Sequence, residues 1–300
     1  MGIRAKRLLI KPGTGTPLTA ADFVGKRIAI DTTLYMTKLF KCSDRWLLDF
    51  ECMLRNFVQL NVSLVCVFDG RTSPDEKREC SERRRLRNDE GLKKIERSLH
   101  EWSSAKRRIM MESYSRRFRH PTREDKHHIY ALVQKYNFEL CFADSEGEAL
   151  CCGLLNIGEV DYVLTEDSDI IVYNPKHFLH YFRIWQFIKC DYSTNVCEQF
   201  FTKSILDRHH MTIEDLWKLV ALTGCDYTTP LIDFGGNNNT NRIYDIKHLI
   251  AVAIANNIDM ENNLSTVKRM FVPTHKKWCF EPGGMIKKKN VITPGPPVED

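Results

Sequence analysis

The sequence predicts an open α/β fold, a mostly parallel sheet with helices on both faces. Three observations carry that expectation. Short apolar runs of strand type alternate with helical patterns in a β-α-β, helical insert, α-β-α-β-α order. Four of those runs lead directly into acidic residues. A long basic stretch interrupts the pattern between the second and third core strands.

The string KRIAID reads as a strand ending at Asp31, and a helix begins over Thr32 to Phe40. WLLDFECMLRNFVQL is an amphipathic helix, and VSLVCVFDG is a strand closed by the turn chemistry of Asp69-Gly70. Residues 1–73 thus form the first part of a core. Residues 74–125 are helical in composition, basic and poor in apolar periodicity, with a small apolar patch at Trp102, Ile109, Met110 and Met111. Such a segment buries little of itself and is expected to protrude as an arm. The core resumes over residues 126–211. There IYALVQKY is helical, FELCFA is a strand, SEGEALCCGLLN is a helix with Ser145 at its N-cap, DYVLT is a strand and DIIVY is a further apolar run. HFLHYF and IWQFIKC read as later strands or edge segments. Residues 212–280 open on the helix MTIEDLWKLVALTGCDY, with Thr212 and Asp215 spaced as a capping box and Gly224 as its stop. A turn, a Gly-rich loop and a helix follow. Residues 281–300 are Pro/Gly-rich, carry Lys287 to Lys289, and are expected to be disordered.

The chain has 300 residues, 43% of them hydrophobic, enough for a sizeable core. It contains no apolar run of about 18 residues, so no membrane span is predicted. The N-terminal segment lacks an apolar stretch of signal-peptide length, and Lys6 stands where myristoylation requires Ser or Thr. Eleven cysteines without a C-x-x-C pair, several in apolar patterns (Cys66, Cys151, Cys152), indicate a reducing compartment. The adjacent pairs His127-His128 and His209-His210 do not have zinc-ligand spacing, so no zinc site is expected. Net charge is +5, yet residues 77–123 hold 16 Lys/Arg against 7 Asp/Glu. A basic segment beside an acidic cluster fits a polyanion bound next to metals.

Seven carboxylates carry the chemistry: Asp31, Asp69, Glu146, Glu148, Asp167, Asp169 and Asp226. In an open parallel sheet, side chains beyond the carboxyl ends of the strands meet at one rim. Anions gathered there repel one another unless cations hold them, and oxygen-only donors suit two hard divalent ions, Mg²⁺ or Mn²⁺. Glu146 and Glu148 both face inward if the first helical turn is irregular. Asp167 and Asp169, two apart in an extended stretch, share a side. Two such ions clamp the attacking and leaving oxygens of a phosphodiester. No competing nucleophile is evident: Ser145 has no histidine partner in the pattern, and neither G-x-S-x-G nor a Walker A loop occurs.

The strings MGI, IAIDTTLY, VFDG, KRECSERRR, DSEGEAL, TEDSDIIVY and LTGCDY, in that order over residues 1–250, resemble the motifs of the flap endonuclease/XPG family of structure-specific nucleases. The resemblance implies a PIN-like core, a basic helical arch over residues 74–125 and a helix-two-turn-helix region for duplex DNA over 212–280. It implies one metal on Asp31, Asp69, Glu146 and Glu148, and a second on Asp167, Asp169 and Asp226. Lys77 and Arg84 match the basic positions at the base of the arch that steady the scissile phosphate; they are seven apart and so share a helix face. Arg83 and Arg85 beside them, and Gly2 near the metals, would meet DNA. Gly235 and Gly236 match loosely the family's potassium-binding turn, with Asn237, Asn238 and Asn239 in place of the usual basic residues. The stacking aromatic of the family has no clear match: Tyr35 lies one turn past Asp31 and Thr37 stands nearby.

The implied partner is branched or flapped DNA, bound by a monomer with two Mg²⁺ ions, Mn²⁺ being an alternative. No sliding-clamp motif is read and no membrane association is expected. The divergence resembles a minimal or viral member, which places the work in a nucleus or at a cytoplasmic replication site. The sequence also accommodates two other readings: a PIN-like or 5′→3′ exoribonuclease, and an inactive DNA-junction-binding protein.

Overall fold

The structure, a computed structural model, describes residues 3, 5–70, 77–99, 120–191, 194–232, 246–274, 276–280 and 286–290. Nine strands form one sheet: β1 (Thr16–Leu18), β2 (Arg27–Asp31), β3 (Ser63–Phe68), β4 (Glu139–Ala143), β5 (Tyr162–Leu164), β6 (His177–His180), β7 (Cys197–Phe201), β8 (Lys276–Phe280) and β9 (Ile286–Asn290). Their order is β1-β7-β6-β5-β2-β3-β4-β8-β9. The five central strands, β6-β5-β2-β3-β4, are mutually parallel, and antiparallel pairs border them on both sides.

The chain runs outward from β2 through β3 to β4, then returns to place β5 on the other side of β2. The β2/β5 boundary is therefore a topological switch point, where a crevice opens beyond the carboxyl ends of the strands.

Both faces of the sheet are covered, which explains the unbroken apolar runs. Ala29, Val65, Val67, Cys141, Ala143 and Val163 pack on one face, with the helices Gly147–Asn156 and Ile213–Thr223. Ile28, Ile30, Leu64, Cys66, Leu140 and Leu164 pack on the other, with the helices Thr32–Cys42, Trp46–Gln59 and Arg123–Lys135. The period of two decides where the terminal acids go. Asp31 shares parity with Ala29, and Asp69 with Val67 and Val65, so both sit on the side of the Gly147–Asn156 helix.

Of the basic arm, Arg78–Leu99 is one helix between β3 and β4, while 100–119 lie outside the described residues. The helix Ile213–Thr223 has its Thr212/Asp215 capping box and ends at Gly224. No described helix is long and apolar enough to cross a membrane.

Four local expectations are corrected. The stretch holding Asp167 and Asp169, read as extended, is instead the cap and first turn of a 3₁₀ helix, Ser168–Tyr173, all six of whose residues are buried, so its DIIVY run carries no periodicity of exposure. Within IWQFIKC, Ile184–Ile188 is a helix that buries Ile184 and Phe187. Glu146, not Ser145, is the N-cap of Gly147–Asn156. Residues 286–290, inside the tail expected to be disordered, form β9 and pair along β8, which satisfies their backbone groups despite the polar composition.

Candidate metal centre

The switch-point crevice is lined by the acids that end the strands. Asp31 is buried and caps the Thr32–Cys42 helix by accepting the Leu34 N–H at 3.0 Å. Its other oxygen accepts the Thr165 hydroxyl at 3.3 Å. Asp69 follows β3; its N–H donates to Thr33 Oγ1 at 3.1 Å, and its Oδ1 accepts the Gly147 N–H at 3.0 Å. The approach is close: a Cβ on Gly147 would lie 3.1 Å from Asp69 Oδ1, pressing that side chain aside by a few tenths of an ångström, and 3.9 Å from Asp31 Oδ1.

Glu146 and Glu148 reach the same place from the start of the next helix. Glu146 has extended backbone at the N-cap (φ −92°, ψ 135°) and Glu148 lies in the first turn. The carboxylates of Asp69, Glu146 and Glu148 offer oxygens within 4.8 Å of one another.

Asp167 and Asp169 are brought together differently from the extended reading. Asp167 caps the 3₁₀ helix that holds Asp169, accepting its N–H at 3.2 Å. The Asp167 N–H donates to Thr165 Oγ1 at 3.1 Å, so Thr165 links both groups of acids. Asp226, just past Gly224, is buried close enough to raise the proton affinity of Asp169 and Glu146.

Crowding shows in the proton affinities. Burial, then the Asp69 carboxylate, push Asp31 up to about 7. Burial and then Asp31, Asp167 and Asp69 raise Glu148 well above the ordinary carboxylate range. Asp169 is likewise raised, by burial and then Asp167 and Asp226, and its buried Oδ1 accepts no hydrogen bond. For Glu146, burial outweighs the lowering effect of Lys77. Groups in this state bind protons or cations tightly. All the donors are oxygen, and one buried lone pair is unused, so the residues fit hard divalent ions.

Lys77 projects into the rim. Its ammonium lies 2.5 Å from Glu146 Oε2 and 5.8 Å from the centre of the Tyr227 ring. Burial alone would lower its proton affinity, but Glu146, Glu148 and Asp69 raise it, so the charge is secure. Arg83 is partly buried and Arg85 exposed on the Arg78–Leu99 helix, Arg85 lying 3.9 Å from Glu82. Arg84 is in the same helix, with its side chain outside the description. Gly2, Gly235 and Gly236 lie outside the described residues. Tyr35 is removed as a stacking candidate: it is fully buried, edge-on to Phe182 at 5.6 Å.

Sequence reasoning passed over Thr165 and Gly147, which position the acids, and the pair Lys38–Glu166, 2.6 Å apart beside Asp167. The string TEDSD held the only cue for Thr165: a hydroxyl placed to bond the backbone two residues on.

The family model for the XPG I-region matches residues 137–226, which span β4 to Asp226 and contain five of the seven acids. Flap endonuclease 1 of Mycosarcoma maydis is 25% identical over 268 residues, covering 83% of this chain and 69% of that protein. Among solved structures, the catalytic core of Rad2 in complex with a DNA substrate superposes with a TM-score of 0.61 at 17% identity, over 92% of this chain and 88% of that one. Human GEN1 bound to Holliday junction DNA gives 0.59 at 16% identity, over 97% of this chain and 69% of that one. At those identities the two structures establish the shared α/β fold. The family model, the relatives and the ordered acids at one rim agree in relating the chain to the flap endonuclease/XPG family, whose I-region model it matches over residues 137–226.

Proposed function

We propose that the protein is a divalent-metal-dependent DNA endonuclease that cuts near single-strand/double-strand junctions, releasing 5′ flaps or 5′ nucleotides during replication, repair or recombination. One observation carries this reading: Asp31 and Asp69 lie against Gly147, Asp69 shares a cluster of oxygens with Glu146 and Glu148, and Thr165 links Asp31 to Asp167, so acids from four separate strand ends meet at one rim. Asp31, Asp69, Glu146 and Glu148 would hold one Mg²⁺, and Asp167, Asp169 and Asp226 a second. Bound there, such ions supply an activated water and stabilise charge on the phosphate oxygens.

The chain's own residues do the rest. Lys77, fixed against Glu146, presents a permanent charge to the phosphate as it gains negative character. Arg84, seven residues on, would add a second. The Arg78–Leu99 helix, with Arg83 and Arg85, would guide the single strand by phosphate contact, and the region around Ile213–Thr223 would take the duplex. Junction choice would come from DNA shape. The work would be intracellular, at sites of DNA synthesis or repair.

The deciding experiment offers the purified chain and Mg²⁺ a panel of labelled 5′-flap, nicked, Holliday-junction and single-stranded DNAs, with a matched RNA flap. Preferential cutting of the DNA flap supports the proposal. Preference for the four-way junction would move the assignment to junction resolution, preference for the RNA flap to a ribonuclease, and no cutting at any divalent concentration would leave only binding.

A further inference from the structure

Along the first half of β4, ahead of the end that leads to the acidic rim, a second donor cluster joins the β8–β9 hairpin to the sheet. Cys141 of β4 and Cys279 of β8 are directly opposed in the antiparallel ladder. Both are buried, and their sulfurs lie 3.7 Å apart. Glu139, two residues before Cys141 on the same face, places Oε1 3.2 Å from Cys141 Sγ and 3.7 Å from Cys279 Sγ. All three donors fall within 4.8 Å of one another.

We propose that Cys141, Cys279 and Glu139 bind a zinc ion that staples the β8–β9 hairpin to β4. The distances support it. Zn–S bonds of about 2.3 Å at a tetrahedral angle put two sulfurs about 3.8 Å apart, and a Zn–O bond of about 2.1 Å puts sulfur and oxygen about 3.6 Å apart. The three protein donors already stand close to those separations and leave one corner for water.

The surroundings orient the carboxylate. Arg27 donates to Glu139 Oε2 at 2.5 Å, and Lys277 donates to Oε1 at 2.9 Å. Lys277 is itself paired with Glu159. Two cations and two carboxylates already balance. Zinc entry with loss of one proton from each thiol, both released to solvent, adds no net charge. A disulfide between the same sulfurs competes only where an oxidant such as a peroxide takes up the two electrons it releases, whereas zinc binding needs none. The Cys141 thiol is held well above its ordinary range, first by its hydrogen bond with Cys279, then by burial and Glu139. Zinc overcomes that by bonding the sulfurs directly.

The test uses the full chain, purified under reducing conditions. Elemental analysis should find one zinc per chain. Cobalt(II) exchanged into the protein should give intense thiolate-to-metal charge-transfer absorption, which the oxygen-only acidic rim cannot produce. Asp167→Ala should keep that absorption, and Cys141→Ser and Cys279→Ser should each lose it. X-ray absorption on the unaltered protein needs no variant to fold: it should show a zinc shell of two sulfurs and two lighter atoms. A four-sulfur shell, zinc retained by both serine variants, absence of zinc and of the cobalt band, or a Cys141–Cys279 disulfide peptide in place of the metal would each overturn the site.

Discussion

The Lys77 ammonium sits 2.5 Å from Glu146 Oε2, a cation held inside the acidic rim and not out in solvent. The pairing keeps Lys77 charged and aimed at the crevice, so its main effect should fall on the chemical step. Lys77→Ala should lower the single-turnover cleavage rate on a 5′-flap substrate by roughly 10²-fold, the loss typical of a donor to a developing oxyanion. Affinity for the same DNA, measured in Ca²⁺, should change by only a few-fold. Equal losses in rate and affinity would give Lys77 a positioning role alone.

Asp167→Ala and Asp169→Ala remove donors from the second group of acids without touching the basic helix. Each should abolish detectable cleavage while leaving DNA binding near the unaltered level. Asp169→Asn separates charge from volume: if Asp169 ligates a cation, the amide should be nearly as inactive as alanine. Normal cutting by any of these variants would dismiss the proposed metal set.

Proton linkage gives a third prediction. Asp31 titrates near 7 in the folded chain, and Glu148 and Asp169 above their ordinary values, so the metal-free native state holds protons that the unfolded chain releases. Raised carboxyl groups contribute stability in acid, and for Asp31 it drains away as pH rises from about 4 to about 7. Buried His180, depressed to about 3, works in the opposite direction over much of that window. The metal-dependent difference isolates the rim, because His180 contributes equally with and without cation. The Tm gain on adding Mg²⁺ to chelator-treated protein should therefore be larger at pH 7.5 than at pH 5.5, where protons compete for the same oxygens. In Asp31→Asn the gain should shrink at the higher pH. A gain independent of pH would mean the raised carboxyl groups are not the ion's ligands.

Thr165 bonds to both groups of acids, donating to Asp31 and accepting from the Asp167 N–H. Thr165→Val keeps the shape and removes both bonds. It should raise the Mg²⁺ concentration needed for half-maximal cleavage several-fold and leave the rate at saturating Mg²⁺ closer to normal. A fall in saturated rate with unchanged Mg²⁺ dependence would place the role of Thr165 elsewhere.

The parts of this site that were legible in the sequence are those fixed by the period of the strands. RIAID and SLVCVFD each carry an acid at the end of a run that alternates between two buried faces, so parity alone sends Asp31 and Asp69 to one side. Contacts across the switch point have no such signature. Thr165 meets Asp31 over 134 residues, and Cys141 meets Cys279 over 138, distances at which no local pattern operates. The 3₁₀ turn at Ser168–Tyr173 escaped for a different reason. It is buried on every side, so periodicity could not separate strand from helix, and the pairing of Asp167 and Asp169 comes from a cap instead of a pleat.

Gly147 separates the demands of the fold from those of the site. It begins a regular helix, where alanine is ordinarily favoured over glycine by roughly 1 kcal/mol. A Cβ there would nonetheless stand 3.1 Å from Asp69 Oδ1 and 3.7 Å from Val67 Cγ1, so the Asp69 side chain would have to give way by a few tenths of an ångström. Asp69 is the flexible member of that contact, and it is the one the proposed metal would need in place. Gly147→Ala should therefore leave Tm within a few degrees of the unaltered protein, or raise it slightly, while weakening Mg²⁺-dependent cleavage by roughly an order of magnitude, as misplaced positioning groups do. Calorimetric unfolding beside a Mg²⁺ titration of cleavage measures both. A large drop in Tm with the Mg²⁺ dependence unchanged would mean that glycine stands there for packing, and that Asp69 is not held for a cation.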